Sequence, residues 1–244
     1  VDEYHPAYKT RPYRATIAAI NIFRGEFLMS LQFKVIPVTP FAQNCSVLWC
    51  DATKQAAVVD AGGDIERILA FVKQQGLTVQ KLLLTHGHID HAGGAAELAK
   101  QLGVQIEGPQ RAESFWLDQL PQQGQMFGFK PSPALTPDRW LEEGDTVSIG
   151  NETLAVIHCP GHTPGHVVFY SASAQLLVAG DVLFQGSIGR TDFPMGNHDD
   201  LINAIRSKLF LLPEHTTVIP GHGPLTTIGD ERASNPFVAD ARYR

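Results

Sequence analysis

Thr85-His86-Gly87-His88-Ile89-Asp90-His91-Ala92-Gly93-Gly94 follows directly on the apolar run Leu82-Leu83-Leu84, and its reading decides the fold. The apolar run reads as a buried strand, so the cluster of three histidines and an aspartate stands where a strand ends. In extended chain His86, His88 and Asp90 share a parity and point the same way, whereas His91 faces elsewhere. That arrangement favours two adjacent metal positions over one.

Outward from this stretch, β-rich runs alternate with helical segments, which predicts an α/β layered architecture with two sheet halves and helices outside. Strands are expected at 32–38, 44–50, 56–60 and 80–84, the third ending in Val58-Val59-Asp60-Ala61-Gly62-Gly63. Ile65, Ile68, Leu69 and Val72 recur at helical spacing over 64–75, with Asp64 as N-cap and Gly76 as stop. Further helices are expected at about 92–102 and 110–119, with a short strand near 104–106 between them. Pro121 to Pro137, rich in Pro, Gly and Gln, reads as a long loop and is the candidate to close over a substrate. The second half predicts strands near 146–149, 153–158, 166–171, 175–179 and 216–219, and a helix near 199–210.

Ligand-type residues recur where apolar runs end: Pro160-Gly161-His162-Thr163-Pro164-Gly165-His166, Ala179-Gly180-Asp181 and Pro220-Gly221-His222-Gly223-Pro224. Loops at strand ends converge on one edge of a layered sheet, so four distant segments can build one site. Taken singly, each residue has a plain alternative: a surface histidine, an aspartate in a turn, a Gly-Pro turn. Their coincidence with the tight cluster favours metal. Imidazoles suit zinc and iron, and carboxylates can bridge two cations, so five histidines and two aspartates have the composition of a dinuclear site. His5, His158, His166, His198 and His215 are read as surface or hydrogen-bonded residues, with His166 as a partner holding a ligand in place.

Composition narrows the function. Nineteen basic against twenty-five acidic residues, a net charge of −6 and no run of Lys or Arg argue against nucleic acid as partner. Cys45, Cys50 and Cys159 lack metal-finger spacing and are odd in number, which points to small core residues and a reducing compartment, the cytoplasm. No apolar run approaches the roughly 20 residues that span a bilayer, so no membrane partner is expected. Residues 1–28 precede the first clear strand pattern and Met29; they read as an extension outside the native domain, leaving 29–244 as one domain.

Thr85-His86-Gly87-His88-Ile89-Asp90-His91, with His162, Asp181 and His222 in order, resembles the metallo-β-lactamase superfamily. The resemblance covers residues 32 to about 237 and implies a four-layer αββα sandwich with the site along one edge of the two sheets. It implies His86, His88 and His162 on a first metal, Asp90, His91 and His222 on a second, and Asp181 bridging. Within the superfamily, Gly161 to His166, Gly180-Asp181-Val182-Leu183-Phe184, and Pro220 to Pro224 with Asn235-Pro236-Phe237 are similar to glyoxalase II, closest to its short bacterial form. The chain departs from longer glyoxalase II enzymes, which carry a C-terminal helical domain and a Tyr after the last metal histidine; here Gly223-Pro224 follows.

The resemblance implies hydrolysis of hydroxyacylglutathione, such as S-lactoylglutathione, with two divalent ions: zinc first, iron or manganese as the other candidates. Two metals lower the pKa of a shared water to give hydroxide near neutral pH, and Asp90 is expected to orient it. Thiols leave with pKa near 8.5, so no strong general acid is needed. Arg190 and Phe184 are the candidates for substrate binding. The main rival comes from Gly189-Arg190-Thr191-Asp192-Phe193, which resembles persulfide dioxygenases; there one iron would sit on His86, His162 and Asp181, and Arg190 and Asp192 could be a simple loop ion pair. Lactone or β-lactam hydrolysis and nuclease activity are further readings, the last disfavoured by the acidic balance. The oligomeric state, monomer or dimer, is open.

Overall fold

The computed structural model describes residues 31–243. The expectations for residues 1–28, His5 among them, lie outside these. Hydrophobic alternation builds two sheets. β1 (Leu31–Val38), β2 (Gln43–Cys50), β3 (Gln55–Val59), β4 (Thr78–Leu83) and β5 (Gln105–Glu107) pair in that order, antiparallel up to β3 and parallel after it. The second sheet has the order β13-β12-β9-β8-β7-β6, from β6 (Thr146–Ile149), β7 (Glu152–His158), β8 (Val167–Ser171), β9 (Leu176–Gly180), β12 (Thr217–Pro220) and β13 (Thr226–Thr227). A small ribbon of β10 (Leu183–Phe184) and β11 (Ser187–Ile188) follows β9.

Each buried strand presents one parity to the other sheet and one to helices. Leu48, Ala57, Val59 and Leu83 meet Val147, Val156, Phe169 and Val178 between the sheets. On the opposite parity Val47, Val58 and Leu82 pack against Ile65, Ile68 and Val72 of α1 (Ile65–Gln74) and Leu98 of α3 (Ala95–Leu102). Ile157, Val168 and Leu177 likewise meet Leu201 and Ile205 of α6 (His198–Ser207) and Ile228 of α7 (Ile228–Ser234). Three apolar layers thus separate four structural layers, the expected αββα sandwich.

The structure corrects several expectations. The helix expected over about 92–102 starts later, α3 covering Ala95–Leu102, and a separate one-turn helix, α2 (Ile89–Ala92), precedes it across Gly93-Gly94. The helix over 110–119 is a 3-10 turn, Arg111–Glu113, running into α4 (Ser114–Asp118). The first part of the expected 121–137 loop is helical: α5 spans Leu120–Phe127. Its Pro121 falls in the first helical turn, where its missing N–H costs nothing, and Gly128 closes the helix in the left-handed conformation (φ 71°). Asp64 does precede α1, but its side chain does not cap; it accepts the Thr39 N–H instead (2.9 Å).

Candidate metal centre

Parallel pairing places the ends of β3 and β4, and of β9 and β12, at one edge of the sandwich. Asp60 follows β3, Thr85 to His91 follow β4, Asp181 follows β9 and His222 follows β12; β8 runs antiparallel to β9, so the loop before it brings His162 to the same edge. All seven residues expected to bind metal meet there. His86 Nε2 and His162 Nε2 each lie 3.1 Å from His88 Nδ1, and these three donors form one compact group. Asp90, His91 and His222 form a second, with His222 Nε2 3.1 Å and His91 Nε2 3.7 Å from Asp90 Oδ2. Asp181 stands between them: Oδ1 is 3.3 Å from His91 Nε2, and Oδ2 is 3.5 Å from His162 Nε2 and 3.8 Å from His222 Nε2.

The parity expectation for Asp90 is overturned, because the chain is no longer extended there. α2 begins at Ile89, and its single turn puts Asp90 and His91 together on the second group. His88, still extended (φ −72°, ψ 150°), remains with the first.

Four histidines have their outward nitrogens engaged, which leaves Nε2 facing the cluster. His162 Nδ1 donates to the Arg190 carbonyl (2.7 Å) and His222 Nδ1 to the Phe41 carbonyl (3.2 Å). His91 Nδ1 donates to Asp60 Oδ2 (2.9 Å), and His86 Nδ1 to Thr85 Oγ1 (3.0 Å), whose hydroxyl donates to Asp60 Oδ2 (2.6 Å). Asp60, His86 and His91 also lie close enough to hold an ion. Their facing atoms are already consumed in these bonds, so that trio is a bonding network that orients two ligands. His91 Nε2 and Asp181 Oδ1, by contrast, are buried without a hydrogen-bond partner. Buried polar atoms rarely stay unpaired, and a cation between these two would supply what both lack. The donor set therefore fits divalent metal.

Electrostatics divide the two groups. Burial lowers the pKa of His86, His88 and His162, that of His88 to about 3, which keeps these imidazoles neutral as metal ligands require. Burial also acts on His91 and His222, but the Asp181 and Asp90 carboxylates outweigh it and raise both. Burial would raise Asp181; the imidazoles of His91, His162 and His222 outweigh that and hold its carboxyl well below the usual range. The His222 side chain is 31% exposed against 12% or less for Asp90, His91, His162 and Asp181, so the site opens beside His222.

His166 is not among the inward-facing donors: its Nε2 accepts the Asp181 N–H (3.1 Å) and its ring stacks on His86 at 4.7 Å, as a supporting residue. Arg190 and Asp192 form an exposed bidentate ion pair (2.9 and 2.8 Å), with the guanidinium 4.6 Å from the Phe193 ring centre. Phe184 stands 6.5 Å from the His222 ring. Sequence reasoning passed over Asp60, Glu113, Trp116, Gln123 and Phe193. Trp116 and Phe193 meet His88 edge-on at 4.6 and 4.9 Å and wall the first group. Glu113 is fully buried; burial pushes its carboxyl up to about 7 against the opposing bonds from Gly87 and Gly165.

Known proteins are similar to this chain in sequence and in fold. Hydroxyacylglutathione hydrolase GloC of Haemophilus influenzae is 45% identical over 209 residues, 85% of this chain and 98% of that one. Among solved structures, the BLEG-1 B3 metallo-beta-lactamase superposes with a TM-score of 0.79 at 40% identity, over 85% of this chain and 99% of that one. TTHA1623, solved in a di-iron-bound form, gives 0.75 at 32% identity over 84% of this chain and all of that one. The family model described as the metallo-beta-lactamase superfamily matches residues 38–222. The chain therefore belongs to the metallo-beta-lactamase superfamily and carries the donor set of a metal-dependent hydrolase.

Proposed function

We propose that this protein is a dinuclear thioester hydrolase of the glyoxalase II kind, converting hydroxyacylglutathione, such as S-lactoylglutathione, to hydroxy acid and glutathione. The observation that carries the reading is the placement of Asp181 between two three-donor groups that open beside His222. His86, His88 and His162 would hold one cation, Asp90, His91 and His222 the other, and Asp181 both. Zinc is the first choice, and the same donors admit iron or manganese. Cations held by these residues would supply Lewis-acid chemistry, lowering the pKa of a bound water and polarising the thioester carbonyl.

The chain's own part is orientation. Asp90, whose Oδ2 lies 3.1 Å from His222 Nε2, would accept a hydrogen bond from the attacking water. Asp60 fixes the tautomers of His86 and His91, and the walls of Trp116 and Phe193 exclude bulk water from the His88 side. The departing thiolate, with a conjugate-acid pKa near 8.5, needs no strong acid. The similarity to the Haemophilus influenzae enzyme over nearly its whole length supports the substrate class. Arg190 is turned to Asp192, so Phe184 is the better placed of the two expected substrate contacts. Among the described residues no helix is long and apolar enough to cross a membrane.

The test is thiol release from S-lactoylglutathione by the zinc-loaded protein, beside oxygen uptake with glutathione persulfide. Thiol release that is lost on chelation and restored by zinc is expected. Oxygen uptake without thiol release, at about one iron per chain, would replace this reading with the mononuclear dioxygenase.

A further inference from the structure

Two peptide groups beside the first donor group are gripped from one segment of the chain, residues 110–123. Gly87, between His86 and His88, donates its N–H to Glu113 Oε1 (3.0 Å) and its carbonyl accepts from Gln123 Nε2 (3.2 Å). Gly165, three residues after His162, donates its N–H to Glu113 Oε2 (2.7 Å), and its carbonyl accepts the Gln110 N–H (3.0 Å). Gln123 Oε1 also accepts the Ile89 N–H (3.0 Å), and its Nε2 donates to the Trp116 carbonyl (2.9 Å). The approach is close enough to require glycine: a Cβ on Gly87 would lie 2.8 Å from Trp116 Cβ, and one on Gly165 would lie 2.5 Å from the Glu113 nitrogen.

The two gripped loops come from opposite sheets: His86 and His88 follow β4 of the first, and His162 precedes β8 of the second. A single carboxylate, buried and with one oxygen on each loop, therefore fixes their separation. Each of its oxygens accepts its own backbone N–H, at 3.0 and 2.7 Å, so the carboxyl group spans the two loops as a two-point spacer.

We propose that Glu113 and Gln123 are positioning residues for the donor group His86, His88 and His162, setting the distance between its two loops and so its affinity for a divalent cation. This rests on the metal assignment above and not on the thioester substrate. Neither side chain touches the reacting atoms. Glu113→Gln keeps the shape but offers one acceptor for two N–H groups, leaving an amide NH2 against the second donor. Gln123→Met keeps the length and removes both its acceptor and its donor.

The full chain is stripped of metal and titrated with Zn2+ against a chromophoric chelator. Co2+ absorption then reports the geometry of each position, and metal-free melting temperature and circular dichroism are recorded alongside. In each variant one zinc-binding step is expected to weaken by about ten- to hundred-fold, with the Co2+ bands of the three-histidine position shifted and the other step unchanged. Unchanged affinities in both variants would overturn the proposal. So would equal weakening of both steps in proportion to a lower metal-free melting temperature, which marks a general structural role. Zinc is the readout, so a chain inert toward S-lactoylglutathione leaves this test intact.

Discussion

Replacing Asp60 by Asn probes the network that orients both donor groups. Asp60 is 2% exposed and sits at φ 56°, a left-handed conformation that Asn tolerates, so the backbone is expected to hold. Its Oδ1 accepts the Thr85 N–H (2.8 Å), while Oδ2 receives the Thr85 hydroxyl (2.6 Å) and His91 Nδ1 (2.9 Å). An amide has one acceptor oxygen. If that oxygen stays on the Thr85 N–H, the NH2 faces Thr85 Oγ1 and His91 Nδ1 and can only donate to them. His91 Nδ1 then becomes the acceptor, and the ring proton moves to Nε2, the atom that faces Asp181 Oδ1 at 3.3 Å. A protonated nitrogen cannot ligate. Metal affinity is expected to fall by about 10–100-fold. Loss of charge-assisted bonds should lower metal-free stability by about 2 kcal/mol, or roughly 4–8 °C in Tm for a chain of this size. Asp60→Ala adds the left-handed backbone cost of about 1–2 kcal/mol and should melt lower still. Chelator competition and calorimetry on the three proteins decide it. Wild-type zinc affinity in Asp60→Asn would refute the tautomer argument, and equal melting of the Asn and Ala variants would refute the backbone one.

Asp181→Asn should weaken both zinc steps and abolish turnover, because one carboxylate serves both groups; a variant with full metal content and full activity would remove the bridging role. Gly221→Ala places a Cβ 2.0 Å from Asp181 Oδ1 and 2.8 Å from His91 Cε1, so kcat/KM should fall by about 100-fold or more with circular dichroism unchanged. Gly223→Ala meets open space at φ 78° and should cost about 1–2 kcal/mol in melting while sparing zinc binding. Lowering the pH from about 8 to 6 should weaken the step at Asp90, His91 and His222 more than the three-histidine step, by about tenfold for each proton and pH unit, with protonation of the Glu113 carboxyl, near 7, the one loss at the latter. The sign follows from the shifts: the raised imidazoles of His91 and His222 take up protons that compete with metal, while His86, His88 and His162, pushed down by burial, do not. Equal weakening of both steps in paired titrations would contradict it.

Strand ends were legible because each carries its own signal: an apolar run, then Gly or a polar residue, then a ligand-type side chain. His162, Asp181 and His222 carry that signal, and Asp60 obeys the same rule after Ala56-Ala57-Val58-Val59, although an aspartate before Ala-Gly-Gly equally suits a turn. Glu113 has no local signal. Its partners lie 26 and 52 residues away in sequence, and only the docking of the two sheets brings them to one carboxylate. The 121–137 segment misled through composition: Pro at the start of a helix and Gly inside it carry the same letters as a loop. Asp90 misled through period, since one helical turn after a strand replaces an alternation of two with a rotation of about 100° per residue.

Bonds that join the two sheets fall on the loops that carry the donors. The Val167 N–H donates to the Thr85 carbonyl (2.9 Å), the Asn44 N–H to the Gly221 carbonyl (2.7 Å), and Asn44 Nδ2 to the carbonyls of Pro220 (3.0 Å) and Gly223 (2.9 Å). Gln43 also forms an isolated antiparallel bridge to His222. Thr85 and Val167 flank the first donor group, and Gln43 and Asn44 brace the second. The interaction that assembles the sandwich is therefore also the one that sets the distance between donors. Hydrophobic packing between the sheets, centred on Leu48, Phe169 and Val178, is non-directional and tolerates small shifts; a metal position does not. The backbone bonds and the Glu113 carboxylate supply the direction that packing lacks. Metal affinity then becomes a finer gauge of how the sheets are docked than melting temperature is, because a displacement too small to expose apolar surface already spoils the ligand geometry.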